Sequence, residues 1–163
     1  MFNRYEDPSE NLVEVFIEVM DKWFPTLGQL KFKLVFDLKR RIKQGKICLA
    51  TTELANDKVR YYTRDVDAVD GYDYVLVFDQ KAWDVASTED KVRLMRHELR
   101  HVFIDEKDKL KVAPHDVSDF RVEQKLNEDN PDWGFNLAIL VNDMYEQEKE
   151  MAKDANKKNF GGK

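Results

Sequence analysis

Hydrophobic positions recur at three- and four-residue steps through Leu12, Phe16, Val19, Met20 and Trp23, the period of a helix with one apolar face. Asp7 as N-cap, Pro8 at N1 and Glu10 at N3 give this helix a start, and Pro25 ends it near Phe24. The period then shortens to two. "KFKLVFD" alternates Phe32, Leu34 and Phe36 with charged or smaller residues and predicts a strand; "KICLATT" predicts a second and "KVRYYTR" a third. "YVLVFD", Tyr74 to Asp79, is almost wholly aliphatic and aromatic and carries the strongest strand signal in the chain.

Helical spacing returns with Val92, Met95, Leu99, Val102 and Phe103, preceded by Ser87 as N-cap with Asp90 three residues on, and predicts a helix over about 88–104. A charged turn, "DEKDKLK", follows. In "PHDVSDFRVEQKLNEDN", Pro114 suits a helix start, with Val117, Phe120 and Leu126 facing inward, and Asn130-Pro131 breaks it. A last helix over about 133–153 carries Leu137, Leu140, Val141, Met144 and Met151 on one stripe. Strands early and helices late, without a repeat or linker, predict one α+β domain with a small N-terminal sheet of three or four strands. The folded part is expected over 1–155, with 156–163 as a disordered tail.

Composition adds bounds. The 163 residues suffice to bury a core without a structural metal, and 42% hydrophobic content, including 10 Phe, separates this chain from disordered ones despite 36% charged residues. No apolar run is long enough to span a bilayer, and "MFNRYEDPSE" lacks the order of a signal peptide, so a cytoplasmic protein is expected. The single cysteine, Cys48, lies in the apolar run "ICLA" and reads as a structural thiol. Net charge is −5, yet residues 31–64 hold ten Lys/Arg against Asp37, Glu53 and Asp57, a local excess of +7. Such a segment suits either a solvated face or contact with nucleic acid or an acidic partner.

The chemistry concentrates in "RLMRHELRHVF". His97 and His101, two of three histidines, stand four apart with Glu98 beside the first, an H-E-x-x-H pattern. On a helix, positions i and i+4 share a face, so both imidazoles can address one ion while Glu98 lies next to it. A bound Zn²⁺ lowers the pKa of its water from about 15.7 to about 7, and a neighbouring carboxylate can take the proton as that water attacks a carbonyl. Leu94, one turn earlier, puts an apolar residue on the same side, whereas Arg93, Arg96 and Arg100 read as solvated.

A catalytic zinc ordinarily has three protein ligands and one open position. His115, the remaining histidine, is the expected third, with Asp116, Asp119 and Glu123 as carboxylate alternatives on the same segment. Asp119, four residues beyond His115, could instead accept the other ring hydrogen of His115 and fix its tautomer.

These residues, "YVLVFDQKAWDVASTEDKVRLMRHELRHVF" followed by "PHDVSDF", resemble the SprT-like, or Spartan-type, zinc metalloproteases, and especially the short phage- and prophage-associated metallopeptidases. The likeness covers about residues 72–121. It departs at Asp116, where the SprT pattern has glycine, and in lacking a cysteine-rich zinc ribbon. The resemblance implies a zincin-like fold, one Zn²⁺ held by His97, His101 and His115, and Glu98 as general base. It further implies that the strand containing Val75, Leu76 and Val77 borders the cleft and binds an extended peptide by strand addition. A zinc metallopeptidase acting on protein or peptide substrates is the leading expectation. The other is a noncatalytic protein, braced by metal, that binds nucleic acid or an acidic partner through residues 31–64. Neither involves a membrane.

Overall fold

A computed structural model of the chain describes residues 3–114 and 120–161. Its elements, in chain order, are β1 (Tyr5–Glu6), α1 (Glu10–Trp23), a 3₁₀ turn (Pro25–Leu27), β2 (Phe32–Asp37), β3 (Ile42–Lys43), β4 (Lys46–Ile47) and β5 (Ala50–Leu54). They continue with α2 (Asp57–Tyr62), β6 (Tyr74–Asp79), α3 (Gln80–Val85), α4 (Thr88–Arg100), β7 (Val102–Ile104), β8 (Leu110–Val112), α5 (Arg121–Leu126) and α6 (Trp133–Phe160). The chain is a mixed α+β single domain.

The main sheet runs β1-β2-β6-β5. Strand β6 pairs parallel with β2, Phe32 opposite Tyr74, and antiparallel with β5, Thr52 opposite Leu76. Alternation sends Leu34, Phe36, Leu76 and Phe78 to one face, where they meet Leu12, Val15 and Val19 of α1, Trp83 of α3, Met95 and Leu99 of α4, and Leu137 and Val141 of α6. The sheet thus carries a helical layer on this face, and α4 is held in the middle of the core by Met95 and Leu99, both fully buried.

Two short hairpins complete the structure. In β3–β4 the turn residues Gln44 and Gly45 both have positive φ, 52° and 75°, the two-residue turn whose twist matches the flanking strands. In β7–β8, Val102 pairs with Val112 and Asp108 takes the left-handed conformation, φ 59°, in the turn. The Tyr74 hydroxyl donates to the Lys111 carbonyl oxygen at 2.8 Å and fastens this hairpin to the sheet.

Several local expectations are corrected. The N-cap of α1 is Ser9, whose hydroxyl accepts from the Leu12 amide at 3.2 Å, so Asp7 and Pro8 precede the helix. "KVRYYTR" forms α2 instead of a strand, because the Asn56 side chain accepts from the Val59 amide at 2.9 Å and nucleates a helical turn. The 88–104 helix stops at Arg100; Val102, Phe103 and Ile104, β-branched and aromatic, pair as a strand. Of the helix expected from Pro114, residues 115–119 lie outside the described residues, and α5 begins at Arg121. The last helix runs to Phe160, beyond the expected 153.

Candidate metal centre

Ser87 caps α4, its hydroxyl accepting from the Asp90 amide, as expected. Seven residues further, Leu94 and Met95 enter the core, and the adjoining side of the helix carries His97 and Glu98. His101 is the C-cap of α4, yet its backbone stays helical, φ −69° and ψ −21°, so the i, i+4 relation to His97 is preserved. One ligand-competent atom from each of His97, Glu98 and His101 can be chosen so that all lie within 4.8 Å of one another.

Hairpin β7–β8 fixes the second imidazole. Ala113, just past β8, donates its amide to the His101 carbonyl, and its own carbonyl lies 2.6 Å from His101 Nδ1. A carbonyl oxygen only accepts, so Nδ1 carries a hydrogen and, in the neutral ring, Nε2 keeps the lone pair required of a metal ligand. Phe120 packs its ring against both histidines, 5.6 Å from His97 and 4.9 Å from His101 between centroids. The donor set therefore fits a divalent, imidazole-accepting ion on chemistry and tautomer alike.

Glu98 is nearly fully buried at 3% exposure, and Thr52 of β5 lies against it. The Thr52 hydroxyl is 2.7 Å from Glu98 Oε2 and 2.8 Å from the Glu98 carbonyl oxygen, so its single proton is shared between a carboxylate and a helix-end carbonyl. Strand β5 is the sheet edge beside α4. Bonds from the Asp79 amide to the Leu49 carbonyl and from the Ala55 amide to the Asp73 carbonyl flank its ladder with β6. Antiparallel alternation then turns the backbone of Ala50, Thr52 and Leu54 away from β6.

Val75, Leu76 and Val77 lie on β6, whose two edges are both occupied, by β2 and β5. A peptide cannot add there; the sheet edge next to Glu98 belongs to β5. The arginines of α4, expected in solvent, are instead paired, two of them buried. Arg93 and Arg96 are 8% and 7% exposed. Arg93 pairs with Asp90 and Asp129, and Arg96 and Arg100 both clasp Glu123 of α5 at 3.0 Å, with Arg96 also bonded to Asn127. Glu123, fully buried, thus ties α5 to α4. His115, Asp116 and Asp119 lie outside the described residues.

A cavity of about 720 Å³ opens beside His97 and Glu98, bounded by hairpin β3–β4, the start of β5 and the first turns of α6. Cys48 lines it; burial pushes its thiol up, and the Glu98 charge adds to the effect. Tyr145 is engaged elsewhere, its hydroxyl donating to buried Asp79 at 2.7 Å. Of the basic 31–64 segment, Arg40, Arg41 and Arg60 pair with Glu146, Asp37 and Asp73. Among the described residues no helix is long and apolar enough to cross a membrane.

Sequence spacing alone could find the H-E-x-x-H face but not Thr52 or Ala113, which reach it from other parts of the chain; Glu123, expected as an alternative ligand, instead pairs with Arg96 and Arg100. Compared with known proteins, residues 4–155 match the family described as "Putative phage metallopeptidase". No curated protein and no solved structure matches.

Proposed function

The chain belongs to the phage metallopeptidase family, and from that premise we propose that it is a zinc-dependent peptidase in which Glu98 is the general base. The observation that carries this reading is the convergence of His97, Glu98 and His101 on one point, with the His101 tautomer already set by Ala113. His97 and His101 would hold the ion, with His115 as the third ligand. Held there, a zinc ion would supply Lewis-acid activation of a water and of the substrate carbonyl.

The chain's own groups have separate tasks. Glu98 takes the proton from the nucleophile and is aimed by Thr52, which occupies one of its carboxylate oxygens. Ala113 holds the His101 ring. An extended peptide would lie along the outer edge of β5, where Ala50, Thr52 and Leu54 turn backbone donors and acceptors away from β6 and Thr52 contacts Glu98. Backbone groups of Ala50, Thr52 and Leu54 that do not pair with β6 support this course.

Two measurements test the reading. Elemental analysis of the full chain should return one zinc per molecule, and Glu98→Gln should retain that zinc while lowering peptide cleavage by about 10³-fold or more. A folded protein that takes up no metal, or a Glu98→Gln variant with undiminished turnover, rules it out.

A further inference from the structure

The cavity beside His97 and Glu98 is larger than metal binding and proton transfer require, and its walls are of one character. Ile42 and Ile47 of hairpin β3–β4, Phe135 and Ile139 of α6, and Leu94 and Trp133 line it. Phe135 and Ile139 are 70% and 46% exposed, Ile42 55%, so large apolar side chains face solvent around an opening that leads to the reacting centre. Besides Glu98, the charged side chains lining it are Lys46 and Asp132, of opposite sign. A volume of about 720 Å³ falls in the range of roughly 300–1,000 Å³ typical of pockets that bury a ligand.

We infer that this cavity is the side-chain pocket that selects the substrate, taking a bulky apolar residue, aromatic or long aliphatic, next to the bond that is cut. The inference rests on the peptidase reading. Its geometry follows from Ala50, which belongs both to the edge strand β5 and to the cavity wall. A peptide lying along that edge sends alternate side chains to one side, and the one beside Ala50 enters the cavity. An acidic side chain there would approach Glu98 and lose water without a partner cation to itself, whereas an apolar one loses only its contact with water.

The pocket's size is set on α6. Trp133, Leu137 and Val141 face the core, and the next position along each turn, Gly134 and Ala138, faces the cavity with almost no side chain. A Cβ built on Gly134 meets nothing within 4 Å, so a larger residue there has room to extend into the pocket. Gly134 and Ala138 therefore determine how large a substrate side chain is accepted.

The test uses the zinc-loaded full chain and peptides identical except for one residue, Phe, Leu, Ala or Asp, beside the cleaved bond. Phe and Leu are expected to exceed Ala by roughly 10- to 100-fold in kcat/KM, with Asp lowest. Ala138→Phe, and separately Gly134→Leu, should reduce the Phe-to-Ala ratio to near one or invert it. Equal rates on all four peptides, or a ratio unmoved in both variants, overturns the inference while leaving the peptidase reading intact. A second arm needs no cleavage: Glu98→Gln is titrated with N-acetyl-phenylalanine amide and N-acetyl-alanine amide while the Gly45 and Gly134 amide resonances are followed. Shifts with the phenylalanine compound alone support the pocket even if no peptide is hydrolysed, a result that would count only against the peptidase reading. Absence of shifts with either compound overturns the pocket.

Discussion

Thr52 illustrates how much of a site can hang on one hydroxyl. Its proton is shared by the Glu98 carboxylate and the Glu98 carbonyl, groups that both lie at the buried end of α4. Replacing it with the near-isosteric valine leaves two acceptors without that donor. We expect Thr52→Val to destabilise the fold by about 1–2 kcal/mol in urea denaturation. It should also lower kcat/KM about tenfold with zinc content unchanged, and Thr52→Ser should restore most of the rate. Equal loss in the valine and serine variants would mean that the hydroxyl does not aim Glu98. Of the candidate site, the approach of His97, Glu98 and His101 to one another was legible in the sequence because their relation is local and fixed by helical spacing. Thr52 was not, since it is 46 positions from Glu98 and its approach depends on how β5 meets α4. Ala113 was hidden for another reason: it acts through its backbone, and no side chain announces a carbonyl that orients an imidazole.

Among elements, α4 and α5 are joined by the Glu123 carboxylate between Arg96 and Arg100. Removing a buried partner strands the opposite charges, so Glu123→Ala should cost about 3–5 kcal/mol by chemical denaturation. Arg100→Ala should cost less than Arg96→Ala, because the Arg100 side chain is 26% exposed against 8% and is partly solvated already. The reverse order would refute the clasp as the main tie. Strand ends carry a second charge cluster. Asp37 of β2, fully buried, sits opposite Asp79 of β6. Burial raises the Asp37 carboxyl, but hydrogen bonds from Arg4 and the Lys39 amide, with the charges of Arg4 and Arg41, outweigh it and hold the carboxyl below its usual value. Its contribution is therefore present above about pH 4 and lost as pH falls through the lowered value. Asp79 has the opposite sign, raised chiefly by burial and also by Asp37. Urea midpoints measured from pH 7 to pH 3 should fall on the acid side, and Asp37→Asn, less stable at pH 7 by about 2 kcal/mol, should fall less steeply. Strand β6 and the start of α4 could be read from the sequence because pattern and cap agree. α2 could not, since "KVRYYTR" buries no residue fully and only the Asn56 cap decides between helix and strand. Likewise "HVF" keeps helical spacing with Leu99, but pairing with β8 wins at Val102.

For the whole molecule, the separation between core and site decides what metal does to stability. The buried cluster joins α1, β2, β6, α3, α4 and α6, and none of its members is a metal-ligand candidate. His97 and His101 are only partly buried and stand at its margin. Apolar burial on this scale supports a fold without help from an ion, unlike a small zinc-stapled domain. Chelation should therefore leave the far-ultraviolet circular dichroism at 25 °C nearly unchanged while lowering Tm. At a zinc concentration a thousandfold above its Kd, binding adds about 4 kcal/mol of stability. For a chain of this size that corresponds to roughly 8–16 °C in Tm. Loss of helical signal on chelation would show instead that the ion holds α4 against the hairpin β7–β8 and that the core is insufficient alone. The contrast between Glu98→Gln and chelated wild type separates the two roles of the site. On the proposed reading the variant should keep the high Tm and lose cleavage, whereas the chelated protein should lose both, because the imidazoles would bind the ion and the carboxylate would act only when substrate is cut.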